Sequence, residues 1–125
     1  MANRLFNQFS FGLEKMRVSL FLHMTIGAAG APTLITDESK GIASVSRIGV
    51  GLYRITLQDQ YNKFLMASNL RKLSSNAAGM LLNLESVASS KIIEVAFVDA
   101  AGAQVELGNG EDVRMSIVLR NSTAP

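Results

Sequence analysis

Between Arg17 and Ile26 the side chains change character at every step. Val18, Leu20, Leu22, Met24 and Ile26 share one parity, and Arg17, Ser19, Phe21, His23 and Thr25 share the other. Period two marks an extended chain with one face turned to a core, because successive side chains of a strand point to opposite sides. The second face is polar except for Phe21, so it is expected to be partly covered. The same beat returns where Tyr53, Ile55 and Leu57 alternate with Leu52, Arg54 and Thr56. It returns again where Val113, Met115, Ile117 and Leu119 alternate with Arg114, Ser116, Val118 and Arg120. Three such stretches cannot satisfy their backbones alone, so the chain is expected to build sheets.

Turn chemistry falls between these stretches. "GAAGAP" at 27–32 reads as a loop, with Pro32 pushing Ala31 toward an extended conformation. A polar turn through Asp37, Glu38, Ser39 and Gly41 follows. Residues Ile42 to Arg47 and Leu52 to Leu57 form a hairpin, joined through Ile48, Gly49, Val50 and Gly51, where the glycines can take positive φ. A further strand is expected over Phe64 to Leu70, with a short helix as its alternative, then a loop at "SSNAAG" (74–79) and a strand from Met80 to Val87. "KIIEVAFVD" at 91–99 is strand-like, "AAGAQ" turns the chain into Val105 to Leu107, and "GNGED" at 108–112 carries the Asn-Gly turn signal. Short strands separated by turns predict an all-β fold, an antiparallel β-sandwich or barrel-like domain over 17–125.

Residues 1–16 break the beat, and two readings are open for them. Leu5, Phe6, Phe9 and Leu13 fall at helix-like intervals, although Phe11 and Met16 lie off that stripe and Gly12 weakens a helix. One reading is a short amphipathic helix that closes an end of the domain. The other is an arm that reaches a neighbouring subunit with its phenylalanines as anchors.

The 125 residues suit a single domain, which at this size buries roughly two thirds of the surface of its unfolded chain. Hydrophobic residues make up 48% and charged residues only 18%, a surface lean in charge that partners could cover. A net charge of +2, with Arg71-Lys72 as the one adjacent basic pair, lacks the concentrated basic face that nucleic acid requires. Tyr53 has the parity of buried residues, which argues against a stacking platform for bases. The absence of cysteine excludes disulfides and thiolate metal sites. "MANRLFNQFSFGLEKM" lacks the apolar core and cleavage-like end of a secretory signal, and "VSLFLHMTIGAAGA" is short of a membrane span. A soluble protein with no membrane partner is the expectation.

Chemistry is hard to place. The single histidine, His23, sits in an apolar strand and reads as a packed or surface residue rather than a catalyst. The carboxylate pairs Asp37-Glu38 and Glu111-Asp112 fall in turns, where solvated side chains or caps are the simplest reading. "DAAGAQVE" and "GNGEDV" lack the oxygen density of a calcium loop, and "GVGL" precedes a strand where a phosphate loop would precede a helix. No enzyme, cofactor or metal is expected, and without a titratable site the binding of a partner should show no sharp loss across the histidine range.

"MANRLFNQF", "GAAGAPTL", "SKGIASVSRIGVGLYRITLQDQY" and the closing "VRMSIVLRNS" together resemble a group of small virion structural proteins of tailed bacteriophages. In size and plan the chain is similar to capsid cement, or decoration, proteins, and the similarity spans most of its length. The resemblance implies a β-rich protein, made in the host cytoplasm, that assembles on the outside of the expanded capsid, often as a homotrimer. There it would bind the major capsid protein and tie neighbouring subunits together. It carries over no catalytic or binding residue. On physical grounds Leu5, Phe6, Phe9 and Phe11 are the candidate interface anchors, with Arg71 and Lys72 as a polar rim. Alternatives for a chain of this kind are a tail or head-fibre component, with 27–33 and 74–79 as candidate tip loops, and a carbohydrate-binding virion module for host attachment. The absence of tryptophan and the presence of only Tyr53 and Tyr61 weigh against the last.

Overall fold

The computed structural model describes residues 17–72 and 77–120. Eight strands run in chain order: β1 Arg17–Ile26, β2 Pro32–Leu34, β3 Ile42–Gly49, β4 Leu52–Leu57, β5 Lys63–Arg71, β6 Gly79–Ser86, β7 Ile92–Val98 and β8 Asp112–Arg120. They form two four-stranded sheets, with strand orders β2-β1-β8-β5 and β3-β4-β7-β6. Every pairing is antiparallel. The expected sandwich is the observed one, and β5 is a strand rather than a helix.

Alternation decides which side chains meet between the sheets. Leu20, Leu22, Met24 and Ile26 of β1 and Val113, Met115, Ile117 and Leu119 of β8 face Tyr53, Ile55 and Leu57 of β4 and Ile93, Val95 and Phe97 of β7 in one apolar cluster. Tyr53 is fully buried, meets Phe97 edge-on at 5.8 Å between ring centroids, and donates its hydroxyl to the Gly30 carbonyl at 2.7 Å. Burial, with the Glu106 carboxylate nearby, pushes its phenol up to about 12. Tyr61 is buried as well, so neither tyrosine offers its ring to a surface ligand.

Gly51 shows why the β3–β4 turn needs glycine. Its φ is +65°, and a Cβ there would lie 2.3 Å from the Val105 carbonyl oxygen. That close approach also explains the segment after β7. Val105 and Leu107 do not form a strand; they pack on the core, and the segment joins the sheet only through the bridge Val98↔Gln104.

The sheet edges are blunted in two ways. β2 has three residues, while the edge strands β3, β5 and β6 carry register shifts, at Arg47/Gly49, Phe64/Met66 and Leu82/Leu84 among others. Short and bulged edges resist continuous pairing with another chain. In β5 the shift also resets parity: Phe64 pairs with inward Leu119, and Met66 already pairs with outward Val118. Leu65, Met66 and Leu70 of β5 and Leu81, Leu82 and Leu84 of β6 are left exposed.

Candidate functional site

The outer face of the first sheet carries a cluster of ionisable side chains. Register places Phe21, Ser116 and Ser68 in one row across β1, β8 and β5, and His23, Arg114 and Leu70 in the next. Asp112 lies one step further along β8 on the same face. A 3-10 turn over Thr36–Glu38 folds against this end of β1. Ser39 fastens it: its hydroxyl accepts the His23 N–H at 2.9 Å and donates to the His23 carbonyl at 3.3 Å.

This packing brings Glu38 over His23. Oε2 of Glu38 lies 2.6 Å from His23 Nδ1, and Oδ1 of Asp112 contacts Nε2 from the other side. A neutral imidazole has a single N–H, so only the imidazolium donates to both carboxylates at once. Burial acts to lower the histidine pKa from its usual 6.5, but the hydrogen bonds to Glu38 and Asp112 outweigh it, and the net direction is upward. Glu38 is held below the usual 4.5, first by the His23 contact and further by Arg114. The Arg114 guanidinium lies 3.4 Å from Glu38 and 3.7 Å from Asp112, and is half-exposed between them. Beside this cluster opens a cleft of about 510 Å³, lined by Phe21, His23, Glu38, Ser68, Leu70, Arg114 and Ser116 among others.

The expectation that Asp37-Glu38 and Glu111-Asp112 are merely solvated is therefore corrected for three of the four residues. Glu38 and Asp112 clasp the histidine, and Glu111 is completely buried. Its Oε2 accepts from Arg71 Nη1 at 2.8 Å and its Oε1 from the Gly108 N–H at 3.2 Å. Arg71 in turn donates to the Ala77 carbonyl at 2.8 Å and lies 5.6 Å from the centre of the Phe97 ring.

Of the residues proposed as an interface, Leu5, Phe6, Phe9 and Phe11 lie outside the described residues. Arg71 does not provide a polar rim: it closes β5 with its side chain only 11% exposed and its charge spent on Glu111. Lys72, the next residue, is exposed, and its backbone N–H donates to the Asp112 carbonyl at 3.0 Å. Of the candidate tip loops, 27–33 is described throughout, whereas 74–76 of the second lie outside the described residues. Phe21, which alternation sets on the outward face of β1 with Arg17, Ser19 and His23, is 62% exposed.

Among the described residues no His, Asp or Glu group is arranged to hold a metal ion, and no helix is long and apolar enough to cross a membrane. Comparison with protein-family models, with curated proteins and with solved structures gives no match.

Proposed function

We propose that the protein is a bacteriophage capsid cement protein that binds the outer surface of the mature shell and bridges neighbouring major capsid subunits. The observation that carries this reading is the set of exposed apolar side chains on two edge strands. Leu65, Met66 and Leu70 stand exposed on β5, an edge of the first sheet, and Leu81, Leu82 and Leu84 stand exposed on β6, an edge of the second. Exposed large apolar groups on the edge strands of both sheets fit a protein that works in permanent contact with others. The sequence resemblance supports the capsid as that partner.

Each contact of such a protein would be modest, and many copies with several attachment points gain by avidity. The mechanism is mechanical. A protein that binds the assembled shell and not its dissociated subunits stabilises the shell by mass action. Assembly as a homotrimer belongs to the same reading, with Leu5, Phe6, Phe9, Phe11 and Lys72 as contributors to the contacts.

Co-sedimentation with expanded capsids that lack the protein tests the proposal. Saturable binding that raises the melting temperature of the shell is expected. A protein that leaves shells unbound and is recovered on tails or fibres of intact virions would overturn it and favour host attachment.

A further inference from the structure

We propose that the cleft on the outer face of the first sheet binds a neutral saccharide. The inference goes beyond the capsid reading and does not depend on it, since the apolar edges of β5 and β6 and this cleft use different side chains, Leu70 apart.

The charges in and beside the cleft disfavour ionic ligands. Glu38 in the lining and Asp112 beside it bring two negative charges, and Arg114 and the doubly hydrogen-bonded His23 in the lining bring two positive ones. With the imidazole protonated these cancel, so an ion of either sign entering the cleft meets a compensated field. The same groups nevertheless offer both kinds of hydrogen bond: Arg114 donates, Glu38 accepts, and the Ser68 and Ser116 hydroxyls do either. An apolar protein surface seated here would cover Arg114 and Glu38, each about half exposed, without replacing their water. A neutral ligand rich in hydroxyls supplies donors and acceptors without adding charge.

The apolar side of the cleft fits the same class. Phe21 presents an aromatic side chain that is 62% exposed beside Ser116, its partner in the register. A pyranose has one face of C–H groups, which is complementary to the electron-rich face of an aromatic ring. Leu70, 72% exposed, stands across β8 from His23 and extends the apolar wall. A cleft of about 510 Å³ lies within the size range of small-molecule sites, which combine apolar walls with a few oriented polar groups.

The polar groups are also fixed before any ligand arrives. His23 has both ring nitrogens engaged and contributes as a positioning residue: it holds Glu38 from one side and Asp112 from the other, and these two carboxylates bracket Arg114. Side chains held in place in the free protein lose less freedom on binding. That advantage is greatest for weakly bound ligands such as single sugars.

The test is a titration of the isotopically labelled full chain, followed by amide NMR, with glucose, galactose, mannose and N-acetylglucosamine in turn, and with glucuronate as the charged control. Saturable shifts are expected with at least one neutral sugar at Phe21, Ser68, Leu70, Arg114 and Ser116, with glucuronate weaker. Phe21→Ala and Arg114→Ala, each checked for an intact spectrum, should weaken that binding by about tenfold or more. Four results would overturn the proposal: no saturable shift with any neutral sugar, shifts centred away from the cleft, tighter binding of glucuronate, or undiminished binding by folded Phe21→Ala. Capsid co-sedimentation of Phe21→Ala separates the two functions, because shell binding through the edge strands should persist when sugar binding is lost.

Discussion

Glu111 and Asp112 are neighbours in the chain with the same charge, and they end on opposite sides of one sheet. Glu111 is wholly buried against Arg71, beneath the Gly108 turn, while Asp112 reaches His23 on the outer face with its side chain 32% exposed. Alternation alone separates them, because consecutive residues at the start of a strand point to opposite faces. The difference in surroundings then sets different energetics. The inner pair is shielded from water and salt, so losing one partner leaves a charge that nothing replaces. The outer cluster is partly solvated, and water can take over from any missing member. The inner pair therefore fastens the fold, tying the end of β5 to the residue before β8 and to the segment that leads into β6, whereas the outer cluster is free to serve binding.

The comparison is most easily broken at Glu111. Glu111→Ala should lower stability by about 3–5 kcal/mol, measured by chemical denaturation, because it strands the Arg71 guanidinium against the core. The double change Arg71→Met with Glu111→Leu should cost less than either single change to alanine, since no unpaired charge remains. If Asp112→Ala proved as damaging as Glu111→Ala, the distinction between the two sides would fail.

His23 sharpens the outer side of the comparison through pH. Its folded-state pKa lies above 6.5, so its clasp contributes fully below pH 6.5 and is lost as pH rises through the raised value. Glu38 is depressed below 4.5, so its contribution is present above pH 4.5 and is lost as pH falls through the lowered value. Melting temperature is thus expected to be highest between about 4.5 and 6.5 and to decline on the alkaline side. His23→Gln should lower it by a few degrees within that window and flatten the alkaline decline, as followed by circular dichroism. An unchanged alkaline limb would assign the pH dependence to other groups. The smallest effect is expected at Arg114, whose replacement by alanine should alter stability by no more than about 0.5 kcal/mol. A larger loss in denaturation would make Arg114 part of the fold rather than a binding group.

Much of the sandwich could be read along the chain. β4 spans Leu52–Leu57, the span that alternation predicts, and the inward faces of β1 and β8 are those of their apolar parities. These elements were legible because a half-buried strand writes its environment into every second residue. The cluster around His23 was not. His23 and Asp112 are 89 residues apart, and they meet only because β1 pairs with β8 in a register that sets His23 beside Arg114. Glu111 carried a usable signal that its turn obscured: it shares the parity of Val113 and Met115, which places it inward. Turn composition suggested solvent, and strand parity prevailed. Arg71 follows from the same fact, since a buried carboxylate at that position draws the nearest cation inside.

The sequence by itself determined that the chain forms strands, where most of them lie and which of their faces enter the core, because those properties depend on local alternation and turn chemistry. Tertiary structure alone decided that β8 lies between β1 and β5. It thereby turned one scattered set of ionisable residues into a buried anchor and another into the wall of an open cleft. Strand order depends on how two whole sheets close over a common core, and no residue records its distant neighbours in its own type.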